Sequence, residues 1–424
     1  MKTRLLIFGI FALTLSVSSC KKKDNKETEM TDKPLTLSPL TTEQQKTSLQ
    51  DNGIALANKM EEMMNSDEMK SISDFVTPLQ NSGEITLSKS FEEFQSGVSK
   101  DPQASVDNFY RQLSKAVSED KTLWGKWDYS PISGKFEKKN SSVDKKATFN
   151  FPAKGSKSNN ATLTINYVES NVRIPSQPDL MPQSLTVSMV VDSKEFLNFQ
   201  TTVSYNSDLT PSLLKESLKL GNFNATLNYT SDTKNIEEKF ALMYNADVLV
   251  KYEFTTSGNY TLYDILSQAS QDAYSEFPVV IANTGAMYVQ LMNVGVYFKI
   301  NDVKSLMSKY LLIGADAEYL EKKERGSSIK EIANLLNSNI VAYAYFVDKK
   351  EKVADLEFYV GEQTEYDYRW NEITKKYDKI PYTESVLKTR LLMSDKSKQD
   401  IEAFVQTGFD GLKDKLNNMT VTEE

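Results

Sequence analysis

The residue that most often activates a nucleophile is missing from this chain of 424 residues: there is no histidine. Without imidazole, Ser-His-Asp and Cys-His catalysis, HExxH zinc sites and His-bound haem are excluded. A serine can instead hand its proton to a lysine. Ser-x-x-Lys spacing occurs at Ser142/Lys145, Ser212/Lys215, Ser231/Lys234, Ser327/Lys330 and Ser385/Lys388. That is what a chain rich in serine and lysine supplies by chance, and no glycine-rich oxyanion loop or companion motif of penicillin-binding proteins accompanies any of them. Paired carboxylates could hydrolyse a glycoside. The 58 acidic residues contain no pattern that singles out two, so they read as solvated surface charge. Metal binding would be left to oxygen ligands, favouring calcium or magnesium, but EF-hand spacing is absent. The expectation is a protein that is not an enzyme and has no cofactor and no metal.

Residues suited to binding are easier to find. Trp124, Trp127 and Tyr129 fall together in "WGKWDY", and Tyr366, Tyr368, Trp370 and Tyr377 cluster late in the chain. Flat aromatic faces stack on sugar rings, and Asn371 could orient hydroxyls. Aromatic residues are also simply favoured in strands, where they pack cross-strand. Tyr366, Tyr368 and Trp370 are the candidate ligand-binding residues. A second candidate is apolar: Phe199, Val203, Phe223, Leu227, Phe240 and Leu242 could line a pocket for an acyl chain or fill a solid core.

These residues must be positioned by a sheet with helices. Residues 21–40 are polar, with Pro34 and Pro39, and read as a tether. From Thr41 the period is helical: Leu49, Leu56, Met60 and Met63 line one face. Met69, Ile72, Phe75, Val76 and Leu79 form a second amphipathic run ending near Pro78. Ser90 to Glu93 has capping-box spacing, and Asp101-Pro102 opens a further helix carrying Val106 to Val117.

Near "TLWGKWDYS" the period becomes two. Apolar residues alternate with Thr, Ser, Asn and Lys in the runs beginning at Phe149, Leu163, Leu185, Leu197, Phe223, Phe240 and Val248, the last with Val250, Tyr252 and Phe254. This marks an antiparallel meander of at least seven strands, wet on one face, with hairpin links such as Asp192 to Glu195. A sheet of that size must twist, curl or close. Curled over helices, it would resemble in architecture the half-barrels of periplasmic lipoprotein and lipid carriers. After residue 260 helices and strands mix. Leu262 to Tyr274 and the faces at Val303 and Ile329 read as helices, "MYVQLMNVGVYFKI" as a strand or buried run. Residues 339–361 read as a hairpin, 365–382 as a second one, and Ile401 to Leu412 as a closing helix.

The start of the chain gives an address. Lys2 and Arg4 precede the apolar stretch Leu5 to Leu15, which is of signal-peptide length and short of the roughly 20 apolar residues of a membrane span. Val17-Ser18-Ser19-Cys20 resembles a bacterial lipobox, and Cys20 is the only cysteine. The resemblance implies a diacylglycerol on the Cys20 sulfur, cleavage before it and acylation of the new amino terminus. Each buried methylene adds about 0.8 kcal/mol, so several chains anchor where one holds marginally. With Cys20 lipidated, no thiol remains for an intrachain disulfide. Lys21 stands where inner-membrane retention uses aspartate, which implies the outer membrane. Lys21 to Glu27 is similar to the charged tails of Bacteroidota surface lipoproteins, though mixed where those are mostly acidic. The formal charge of −8, with no basic stripe, gives no nucleic-acid surface.

"ATFNFPAKGSKSNNATLTINY", "MNVGVYFKINDVKSL" and "SDKSKQDIEAFVQTGFDGL" together resemble large Bacteroidota outer-membrane lipoproteins of unknown function. That resemblance implies a place in the envelope and carries no catalytic residues. The expected fold is α+β: signal peptide 1–19, lipidated Cys20 and tether 20–40, a helical region 41–120 packed as a layer on the sheet, the antiparallel meander 121–260, curled or half-barrel, and a mixed region 261–424 against it. The expected role is non-enzymatic binding or structure in the envelope, held to the membrane by the lipid anchor, with an apolar or lipid-like ligand ahead of a glycan and a histidine-free hydrolase third.

Overall fold

The computed structural model describes residues 36–82, 123–142, 144–173, 180–207, 209–260, 282–318 and 325–419. The expected signal segment, Cys20 and most of the expected tether lie outside them. So do the helices expected at Ser90, at Asp101-Pro102 and over Leu262 to Tyr274. Antiparallel sheet dominates an α+β chain, with a few helices. A two-residue strand β1 (Thr36–Leu37) leads into helices α1 (Thr42–Met64) and α2 (Asp67–Ser82). The chain divides into two compact units, one built on Asn58–Ser270 and the other on Lys26–Ala57 with Gln271–Glu424.

Among the described residues the first unit holds ten strands: β2 (Gly125–Ser130), β3 (Lys135–Ser141), β4 (Lys146–Phe151), β5 (Ala161–Arg173), β6 (Leu180–Val191), β7 (Lys194–Tyr205), β8 (Pro211–Leu220), β9 (Phe223–Ser231), β10 (Asn235–Tyr244) and β11 (Asp247–Gly258). From β4 onward each pairs antiparallel with the next. The start departs from a simple meander, because β2 lies between β3 and β4 and runs parallel to β4. Among the described residues no pairing joins β3 to β11, so the run is open.

Alternation decides which face is covered. Phe149, Leu163, Val187, Phe199 and Leu227 are buried, while the residues between them stay wetter. The turn at Asp192-Ser193 follows from backbone geometry: both residues have positive φ (48° and 68°), which suits a tight hairpin to twisted strands. Helix α2 sets the Phe75 ring 5.8, 5.6 and 5.2 Å from those of Phe136, Phe149 and Phe151. The helix runs through Pro78 to Ser82 instead of ending there. An interior proline costs about 3 kcal/mol, and the complete burial of Phe75 and Leu79 on either side offsets it. The sheet also has more strands than the alternation implies. Strand β8 escapes the pattern because Glu216 occupies an inward position between Leu214 and Leu218. In β11, Val250, Tyr252 and Phe254 pair with the inward Leu242, Phe240 and Glu238, but Val248 does not share their face, because the register slips beside Leu242/Met243 and the extra residue there, Leu249, is buried.

The second unit contains β12 (Ala282–Leu291), β13 (Val294–Ile300), helices α3 (Val303–Glu318) and α4 (Gly326–Asn339), β14 (Ile340–Phe346), β15 (Glu351–Asn371), β16 (Lys376–Met393), β17 (Lys398–Asp400), and helices α5 (Ile401–Gln406) and α6 (Asp410–Met419). Strands β12 to β17 pair antiparallel in chain order, and β1 adds a parallel pair to β15. The run expected as a strand or buried run at 287–300 is the β12–β13 hairpin, turned at Met292-Asn293 with Met292 at φ 51°. Methionine at the positive-φ position carries no turn signal, and the Asn293 beside it is a single turn former inside an apolar run, so the turn was easily missed. The two hairpins expected after 339 share one 21-residue strand, β15. The expected closing helix is split into α5 and α6 around Gly408 at φ 81°.

The core of this unit gathers Phe346, Val353, Ala354, Met393 and Phe404, with Leu40 and Leu49 packed against them. Asp395 accepts hydrogen bonds from the backbone N–H and hydroxyl of Thr42 at 3.0 and 2.8 Å, capping the start of α1 from another part of the chain. Hydrogen bonds from Ser397, then Thr42, hold the Asp395 carboxyl far below the usual carboxylate range. Gln45, fully buried, donates to Leu40 O and Ser394 Oγ.

Candidate functional site

The candidate aromatic residues lie on the β15–β16 hairpin, whose foot is locked in place. Asn337 of α4 donates to Phe358 O and accepts from Phe358 N–H, both at 2.8 Å, satisfying backbone groups on β15. Arg390 bonds Glu357 across the two strands and lies 4.4 Å from the Tyr359 ring centre. That guanidinium holds the Glu357 carboxyl low. Tyr359 donates to Asp400 at 3.0 Å, and Asp400 caps α5 through Glu402 N–H and Ala403 N–H. Burial, with the Asp400 contact second, pushes the Tyr359 phenol up.

Beyond Gly361 the hairpin is a bare ribbon. The ten pairs from Glu362↔Ser385 to Asn371↔Lys376 extend it by roughly 30 Å at 3.4 Å per residue. No residue from 362 to 381 is buried. Period two sorts its side chains onto two faces. Thr364, Tyr366, Tyr368 and Trp370 share one face with Tyr377, Lys379, Pro381 and Thr383. The rings are open to solvent: Tyr366 43 %, Tyr368 65 %, Trp370 44 % and Tyr377 66 % exposed. Trp370 and Tyr377 meet edge to face, 5.2 Å apart at 67°. Lys379 Nζ stands 3.7 Å over the Tyr366 ring, within cation–π range. The other face carries Glu365, Asp367, Arg369, Lys376, Asp378 and Ile380.

The structure therefore brings Tyr366, Tyr368 and Trp370 together on one exposed strip, with Lys379 added. Asn371 is not on that strip. Its side chain is used in the turn, accepting from Ile373 N–H and Thr374 N–H at 2.9 and 3.1 Å and donating to Asp378 at 2.7 Å. Lys379 was legible only once the register with Tyr368 was known, since the two are eleven residues apart in the chain.

The other nominated residues fall elsewhere. Trp127 is core: it stacks on Phe149 at 5.9 Å and 12°, and its indole N–H donates to Leu123 O at 2.8 Å. Phe199, Val203, Phe223, Leu227, Phe240 and Leu242 retain between 0 and 7 % of their accessible area. Side chains covered this closely are packed against their neighbours. Ser212/Lys215 and Ser385/Lys388 each lie on one strand, three apart, and so point to opposite faces. Lys145 is paired with Glu169 at 2.5 Å. Among the described residues no acidic cluster is arranged to hold a metal ion.

Sequence reading missed Glu216 and Glu238, which occupy inward positions of β8 and β10 and are buried. Their signal was a glutamate in phase with apolar neighbours, Leu214 and Leu218 for one and Ile236 and Phe240 for the other. Burial, with the charge of Glu238 second, pushes the Tyr252 phenol well above its ordinary value. Strand β9 separates the two glutamates, and their Cα atoms stand about 12 Å apart from strand spacing and register. Comparison with protein-family models, curated proteins and solved structures finds no match for this chain.

Proposed function

We propose that this chain is a lipid-anchored cell-envelope protein with a non-enzymatic binding role, and that it binds glycans on the aromatic strip of the β15–β16 ribbon. One observation carries the ligand reading: four rings and a proline share one face of a ribbon that no part of the described chain covers. Rings left at 43–66 % exposure contribute little to folding, and flat apolar faces bordered by hydroxyls from Thr364 and Thr383 suit sugar rings. The anchor rests on the resemblance of Val17-Ser18-Ser19-Cys20 to a lipobox, and the outer membrane on Lys21. No helix among the described residues is long and apolar enough to cross a membrane. In the same reading, residues 41–120 form a helical layer over the curled apolar face of the meander, a role that Phe75 of α2 supports.

An apolar ligand has less support, because the six residues that would line its pocket are packed. The test is a polysaccharide array probed with the protein and its Tyr368→Ala and Trp370→Ala variants. Binding that falls at least tenfold in both variants is expected. Retained binding in both removes the ribbon from the reading. Metabolic labelling with a radiolabelled fatty acid, in the wild type and in Cys20→Ser, tests the anchor. Labelling confined to the wild type is expected.

A further inference from the structure

We infer that the ribbon takes an acidic glycan, a chain bearing carboxylate, phosphate or sulfate, and that Lys379 selects it. This rests on the glycan reading above and adds the charge class of the ligand. Register sorts the ribbon's charges. Between the Thr364↔Thr383 and Trp370↔Tyr377 pairs, the ring face carries Lys379 and no carboxylate, while Glu365, Asp367 and Asp378 all stand on the opposite face. An anion approaching the rings meets one exposed ammonium at the middle of the strip. An anion approaching the other face meets three carboxylates against one guanidinium, that of Arg369.

Tyr366, Tyr368 and Trp370 step by two residues, so the strip is about 14 Å long. That is the reach of a linear oligosaccharide and more than one sugar needs. The Tyr366 ring holds the lysine over the strip, which limits the side-chain freedom a ligand would have to freeze. A lipid surface fits less well. Tip-first insertion would take Glu372 and Asp378 to the depth of Trp370, and charged groups are costly there.

The test compares polygalacturonate with its fully methyl-esterified form, two polymers of one backbone that differ in charge. Affinities are measured with the full-length protein at low and high salt, alongside a panel of other acidic polysaccharides and their carboxyl-reduced forms. The expected result is tighter binding of the acidic member of a pair, by about fivefold at low salt as a single exposed charge contributes, and screened at high salt. Lys379→Gln should bring the ratio to about one by weakening the acidic member's binding. Asp367→Asn, on the opposite face, should leave the ratio intact. Equal binding of acidic and neutral members would overturn the inference and leave the glycan reading standing. No binding to any polysaccharide would overturn both. A blue shift of Trp370 emission on phosphatidylglycerol vesicles, absent in Trp370→Phe and without polysaccharide binding, would assign the strip to a membrane and overturn both as well.

Discussion

The ten-stranded sheet of the first unit and the β15–β16 ribbon of the second use the same alternation and reach opposite ends. In β5 the inward residues Ala161, Leu163, Ile165 and Tyr167 are buried. In β15, Tyr366, Tyr368 and Trp370 follow the same spacing with larger rings, and all three stay exposed. A strand's period sorts side chains onto faces; it does not supply a cover. Where neighbouring strands and a helix such as α2 cover a face, aromatic residues become core. Where two strands run on alone, the same residue types become surface, and an isolated two-stranded ribbon is marginally stable in water. Large rings kept on such a ribbon agree with the binding role proposed above more than with a scaffold.

Substitutions can break or sharpen this contrast. Phe149→Ala removes the ring that Phe75, Trp127 and Phe136 all pack against. It should destabilise the first unit by about 3–5 kcal/mol, read in urea from the emission of Trp127. In the second unit, Gly295→Ala would place a methyl 2.7 Å from the Tyr345 ring and 3.0 Å from that of Tyr288. A loss of about 1–3 kcal/mol is expected for such overpacking, measured by urea unfolding followed by circular dichroism.

Asp395→Ala should cost about 1 kcal/mol, the usual effect of losing a helix cap, reduced by the exposure of the carboxylate. The pH dependence has a definite sign. Hydrogen bonds lower the folded-state pKa of Asp395, so its contribution is complete above the unfolded value of about 3.9 and is lost as pH falls below that toward the folded value. The gap between wild type and Asp395→Ala in urea should be full at pH 6 and shrink toward pH 2; a gap independent of pH would dismiss the cap. Smallest of all is Tyr368→Ala, expected to change stability by less than about 0.5 kcal/mol while the proposed glycan binding falls at least tenfold. Hydrogen exchange should show ribbon amides beyond Gly361 exchanging far faster than those of β5 to β7, since local openings there expose little.

Alternation exposed most of the sheet in the sequence because one wet face leaves a regular record. It failed where one residue broke phase or the positive-φ position of a turn lacked its usual residue. Glu216 hid β8, and Met292-Asn293 hid a hairpin turn. Pro78 suggested the end of a helix that burial carries onward. Of the candidate site, the spacing of Tyr366, Tyr368 and Trp370 on one face was legible, because period two is local. Whether that face would be covered was not, since cover comes from elements far away in the chain.

The sequence by itself determined the absence of imidazole chemistry, the alternating strands, the amphipathic α1 and α2, and the aromatic triplet on one face. Each follows from residue identity or from short-range spacing, which backbone geometry converts directly into a face. Tertiary structure alone decided that Trp127 is core while Trp370 is surface, that Lys379 stands among the rings, and that Asp378 lies on the ribbon's other side. Those outcomes depend on register and on what packs against what, and both arise between residues that chain order keeps apart.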